Sequence, residues 1–160
     1  MKYFLSIIFV FAYCSAQSQK YILPDGEYMD TTYSTDINCK DYNAYYYQVK
    51  GKYPKNSATI LKEVLLFLED EKRIYSGSGY ITFRFVIDCQ GNLMPKVQVL
   101  QTDEKYKDFH FDKNLVTELY NYLVTLKKWT IAKLPNGEPF LYRAFLTFKI
   151  QNGKVINIIP

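Results

Sequence analysis

Between Tyr80 and Asp88 the side chains alternate without a break. Ile81, Phe83, Phe85 and Ile87 fall on one side, and Tyr80, Thr82, Arg84 and Val86 on the other. A period of two in aromatic and β-branched residues specifies a strand with one buried face. Such a strand needs pairing partners at its margins and an apolar cover. The rest of the chain has to supply both, and 160 residues is the length of a single domain.

The cover comes from two helical stripes. Lys52-Tyr53-Pro54 breaks the chain, and Asn56 or Ser57 then offers a side-chain oxygen to cap a helix. Ile60, Leu61, Val64, Leu65 and Leu68 share one face of that helix, which should end near Lys72. Asp112 can cap a second helix, whose stripe is Leu115, Leu119, Tyr122, Leu123 and Leu126. Lys127 and Lys128 at its end suit the helix dipole. Trp129, the single tryptophan, reads as a plug between helix and sheet.

Further strands supply the pairing. Asp88-Cys89-Gln90-Gly91 is a turn in which Gly91 can take a positive φ. Asn92 to Leu100 continues as a second strand, and Pro95, which has no N–H, places it at a sheet edge or a bulge. Residues 101–111 are polar and read as a loop. Phe140 to Ile150 forms a long strand with Phe140, Tyr142, Ala144, Leu146, Phe148 and Ile150 on one face. Asn152-Gly153 is a hairpin signal, and Val155 to Ile159 is a short final strand. The expected fold class is α+β, a small antiparallel sheet with both helices on one face, in the order α-β-β-α-β-β.

The ends of this unit set the domain boundaries. Lys2 followed by the apolar run Tyr3–Tyr13 and by Cys14-Ser15-Ala16 fits a secretory signal cleaved after Ala16. The run is too short to span a membrane, which takes about 20 apolar residues, so no membrane span is expected in the mature chain. A rival reading lipidates Cys14, but Tyr13 is not the small residue that normally precedes a lipidated cysteine. Residues 1–16 are therefore read as the signal, 17–52 as a tyrosine-rich arm, and 53–160 as the domain. The expected location is periplasmic or secreted. In the arm, Tyr21, Tyr28, Tyr33, Tyr42, Tyr45, Tyr46 and Tyr47 occur with no helical or strand period. It is read either as a low-order segment or as one that packs on the main body.

Chemistry-bearing residues are sparse. With Cys14 removed, Cys39 and Cys89 remain, and they either form a disulfide or stay as two free thiols. No Cys/His spacing suits a metal, and no Gly-rich loop in the right context suits a phosphate or a cofactor. His110, the single histidine, sits between Phe109 and Phe111 with no nucleophile motif around it. A net charge of +4 spread along the chain does not make the clustered basic face that nucleic acid calls for. Arg84 and Arg143 are expected together on the solvent face of the sheet, where an acidic partner could meet them.

Several landmarks occur in a fixed order. Tyr53-Pro54 precedes the first helix. Gly79-Tyr80-Ile81-Thr82-Phe83-Arg84-Phe85-Val86-Ile87-Asp88 is followed by Gly91, and Phe111-Asp112 opens the second helix. Trp129-Thr130-Ile131-Ala132, Asn136-Gly137-Glu138-Pro139, Phe148-Lys149-Ile150 and Asn152-Gly153 close the series. Together they resemble the C-terminal domain of the TonB family of periplasmic energy transducers, over roughly residues 53–159. Ile131 stands where that family usually has proline. An export signal and a tyrosine-rich arm stand where transducing members carry a membrane anchor and a Pro-rich spacer. The resemblance therefore implies the fold but not energy transduction. It also implies a protein without catalytic activity or cofactor that binds a protein partner, such as a segment of an outer-membrane receptor, by strand addition. The candidate edge is Val155, Ile156, Asn157, Ile158 and Ile159; if the Asn152-Gly153 turn folds that strand back onto Phe140–Ile150, it covers the edge a partner would use there, and binding would require the short strand to move. Such an edge also admits a strand-mediated homodimer. The alternative is a secreted module that binds a glycan or cell-surface polymer through the arm tyrosines; deleting residues 17–50 would abolish only that second activity.

Overall fold

A computed structural model describes residues 27–31, 39–51, 53–69 and 73–159. The export signal read over residues 1–16, with Cys14, lies outside these residues. In chain order the elements are β1 (Glu27–Asp30), β2 (Lys40–Tyr45), α1 (Ser57–Glu69), β3 (Gly79–Ile87), β4 (Val97–Asp103), α2 (Lys113–Thr125), β5 (Ala132–Lys133), β6 (Pro139–Gln151) and β7 (Lys154–Ile159).

The alternating run forms β3 as expected, with every second residue from Gly79 to Ile87 buried. Beyond it, Asp88 Oδ1 accepts the N–H groups of Gln90 and Asn92, both at 2.8 Å. Gly91 has φ 83°, and a Cβ there would meet the Trp129 carbonyl oxygen at 2.8 Å. The return strand starts later than the sequence suggests. Leu93 makes one isolated bridge to Ile87, and regular pairing resumes at Val97. Pro95, having no N–H, lies in the interruption. Residues 101–103, expected in a loop, extend β4 instead, because they still face Gly79, Tyr80 and Ile81 across the ladder.

Both helices start where their caps predict. Asn56 Oδ1 accepts the Thr59 N–H at 2.8 Å, and Asp112 Oδ1 accepts that of Asn114 at 2.8 Å. All five stripe residues of α2, the last of them its C-cap Leu126, are buried. The stripe of α1 is narrower than expected. Ile60 and Val64 are buried, Leu61 and Leu68 are half-buried, and Leu65 is 38% exposed. Phe67 takes its place, with its ring 5.7 Å from that of Tyr122. Helix α1 packs along β7 at the sheet margin and presents a thinner strip to the core.

The sheet runs in the order β1-β4-β3-β6-β2, with β5 and β7 also paired to β6. Both helices pack on the same face of the sheet, to which the buried side chains of β3 and β6 point. The Phe83 ring lies 6.2 Å from Tyr120, the Phe148 ring 6.4 Å from Tyr122, and the Tyr122 hydroxyl donates to the Ile60 carbonyl at 3.3 Å. Trp129 is buried between the rings of Tyr53 and Phe85 and donates to the Leu126 carbonyl at 2.9 Å, the plug its position suggested.

The described part of the arm follows the second of its two readings and packs on the main body, but as strands that the sequence did not indicate. It supplies two strands: β1 runs antiparallel along β4, and β2 runs parallel to β6. The sheet is therefore antiparallel apart from β2. The Arg143 guanidinium grips Asp41 with two bonds of 3.1 and 3.0 Å, and Lys40 pairs with Glu138 at 2.7 Å. The hydrogen bond from Arg143 holds the Asp41 carboxyl below its ordinary range.

Burial also marks the phenols. Tyr142 and Tyr122 are pushed well above the ordinary tyrosine range by burial, and Tyr75 is pushed up to about 12 by burial and by its bond to Glu118. The fold thus holds these protons more tightly than the unfolded chain does. Stability is fully present below pH 10.0 and drains away as pH rises from there towards about 12, where the unfolded chain ionises first. Thermal unfolding followed by circular dichroism should show a melting temperature several degrees lower at pH 11 than at pH 8. Tyr142→Phe should flatten that decline.

Candidate functional site: the sheet margin and the open face

Strand β6 is flanked on both sides. Strand β3 pairs with it from Tyr142 to Ile150. Strands β2 and β7 pair with residues in that same stretch, so both lie along the opposite margin. The register of β2 ends at Arg143 and that of β7 begins at Thr147. Between them a cavity of about 280 Å³ is bounded by Tyr46, Tyr53, Ile60, Trp129 and Leu146.

The Asn152-Gly153 turn folds β7 back onto β6, as its sequence suggested. Both residues have positive φ, 49° and 74°, the pattern of a tight two-residue hairpin. Gly153 donates to the Gly77 carbonyl at 2.8 Å, and a Cβ on it would meet the Tyr75 carbonyl oxygen at 2.1 Å. Within β7, Val155 and Ile158 are buried in the core, whereas Ile156 and Ile159 are 40% and 43% exposed. Among the described residues β7 pairs with β6 and with no other strand. The Ile158 N–H donates to the Asn157 side chain at 2.9 Å, a donor met within its own strand.

The second edge considered from sequence, the Pro95-bearing strand, is not open. Strand β1 covers β4 from Val97 to Val99. Cys39 and Cys89 are bonded to each other, with Cα atoms 5.7 Å apart, joining the start of β2 to the turn after β3. The Cys89 N–H also donates to the Cys39 sulfur at 3.1 Å.

His110 is exposed on the loop before α2, 3.8 Å from a Glu27 carboxylate oxygen and 3.9 Å from one of Asp108. No group of three or more metal-type side chains occurs among the described residues, and no helix among them is long and apolar enough to cross a membrane. The arm tyrosines pack largely on the domain and on one another. Tyr42 meets Phe140 edge-on at 5.3 Å, Tyr45 stacks on Phe145 at 5.8 Å, and Tyr47 stacks on Tyr45 at 5.6 Å. Arg84 and Arg143 come together on the face away from the helices, in one open basin. Sequence reasoning did not place Tyr28 and Lys96 there, because the strand that carries Tyr28 has no readable period.

No protein-family model, no curated protein and no solved structure matches the chain.

Proposed function

We propose that this chain is an exported, non-catalytic protein-interaction module akin to the TonB C-terminal domain. Its outer margin at β7 receives an extended segment of a protein partner, such as an outer-membrane receptor in a transport system. The observation that carries the proposal is the state of β7. Folded back, β7 covers the edge of β6, and Val155 and Ile158 anchor it in the core, so the margin offered to a partner is the outer one of β7 itself, which bears no strand among the described residues. A fixed strand with one open margin is a template for another, because the incoming backbone satisfies donors and acceptors that water otherwise serves. Ile156 and Ile159 supply apolar contacts at that margin. The reading as a glycan-binding module is less favoured, because Tyr45 is stacked with both Tyr47 and Phe145 and Tyr42 is held edge-on to Phe140, although Tyr42 and Tyr47 keep exposed surface.

Capture from an outer-membrane extract of the source organism tests the reading. The immobilised full chain should recover a β-barrel receptor, and Ile156→Lys, a charge on an exposed edge position, should abolish recovery without lowering the melting temperature. Recovery of no such receptor, or equal recovery by Ile156→Lys, would overturn the proposal.

A further inference from the structure

The helices cover one face of the sheet, and the other face holds an open basin of about 290 Å³. Its lining includes Tyr28, Arg84, Lys96, Gln98, Arg143 and Phe145. The local sequence builds it simply. The even-numbered residues of β3 and the odd-numbered residues of β6 are turned away from the core, and the ladder sets Arg84 opposite Phe145 and Val86 opposite Arg143. Strand β1 then sets Tyr28 opposite Gln98.

Two of the three cations here are held over aromatic rings. The Arg84 guanidinium carbon lies 5.5 Å from the centre of the Phe145 ring, and Arg84 Nη1 donates to Gln98 Oε1 at 3.2 Å. Lys96 Nζ lies 5.2 Å from the centre of the Tyr28 ring. Arg143 is engaged with Asp41 through both terminal nitrogens. No carboxylate is among the described residues that line the basin. Its charge is therefore positive, with Asp41 offsetting Arg143 at the rim. A ring beneath a cation leaves the charge intact and limits the side chain's freedom, so less entropy is lost when an anion arrives.

We propose that this basin binds the carboxylates of an acidic peptide segment, with Arg84 and Lys96 as the two principal contacts. Charge complementarity points to an anion, since arginine matches a carboxylate with parallel donors and lysine adds a second point of attraction. The rings point to a peptide rather than an acidic sugar. Stacking on a sugar needs bare ring faces, whereas Phe145 carries Arg84 and Tyr45, and Tyr28 carries Lys96. The site is separate from the β7 margin and does not depend on strand addition.

Fluorescence anisotropy of labelled hexaglutamate, titrated with the full chain, tests the proposal. Hexaglutamate should bind, its affinity should fall as salt is raised, and hexaglutamine should bind at least about tenfold more weakly. The double variant Arg84→Gln, Lys96→Gln should weaken hexaglutamate binding by about tenfold, as expected for two partly solvated ion pairs. Lys96→Glu serves as the second variant. Its site is exposed, so the fold is retained, and it should lower the affinity further than Lys96→Gln. Equal binding of hexaglutamine, or undiminished binding by either variant, would overturn the proposal. Tighter binding of an oligogalacturonate of the same charge would overturn it in favour of a glycan.

Discussion

Replacing Cys39 and Cys89 together with serine should lower the unfolding free energy by about 4 kcal/mol. The bond closes a separation of 50 residues, and loop-closure entropy in the unfolded chain gives about that value in the simple chain model. At roughly 2–4 °C per kcal/mol for a chain of this size, the melting temperature should fall by about 8–16 °C. The location of the bond adds a second effect. Cys39 immediately precedes β2, a strand of mostly exposed residues beside β6. Without the bond, β2 rests on a short parallel ladder, on the ring contacts of Tyr42 and Tyr45 with Phe140 and Phe145, and on the Asp41–Arg143 and Lys40–Glu138 pairs, which are half-exposed and worth little. Amide exchange in β2 should therefore accelerate far more than in β3. A loss below about 1 kcal/mol, or uniform acceleration across the sheet, would show that the bond does not restrain the arm.

Phe148→Ala should cost about 3–5 kcal/mol, the range for removing a fully buried aromatic ring. Phe148 is fully buried near the middle of the sheet, facing Ile81 on one side and Ile158 on the other. Its ring lies 5.9 Å from Phe83 and 6.4 Å from Tyr122, so it joins strand, neighbouring strand and helix at one point. Rigid neighbours on three sides leave little room for collapse into the space left behind. In urea the midpoint should move down by about 2 M. Thr147→Ala, on the outward side of the same strand, should move it much less. Similar shifts for the two would refute the assignment of faces.

The parts of the fold legible in the sequence are those whose signal is local. The alternation of β3 and β6, the α2 stripe, the Asn56 and Asp112 caps and the Asn152-Gly153 turn can each be read within about a dozen residues. What was not legible depends on residues far away. Strand β1 has four residues and β2 has six, mostly exposed, so neither carries an alternation strong enough to read. They are strands because β4 and β6 offer margins to pair with. The disulfide was undecided for the same reason, since only the folded sheet brings the two cysteines together. Leu65 and Phe67 exchanged roles in α1 because a helix at a sheet margin buries a narrower strip than the 3.6-residue period alone suggests. Of the surfaces, β7 was legible as an edge. Arg84 and Arg143 were legible as outward-facing, while Tyr28 entered their basin through a pairing the sequence does not advertise.

The two arm strands sit at opposite margins of the sheet, and this bears on the order in which the chain can assemble. Asp41 meets Arg143 across 102 steps of sequence, so β2, one of the first strands to leave a ribosome, waits for nearly the last. Helix, hairpin and second helix can gather while synthesis proceeds, and β1 can dock on β4 once the hairpin is made, but β2 has no docking place until β6 exists. The β2 contact therefore forms late, and oxidation of the cysteine pair then locks in an arrangement the body has already reached.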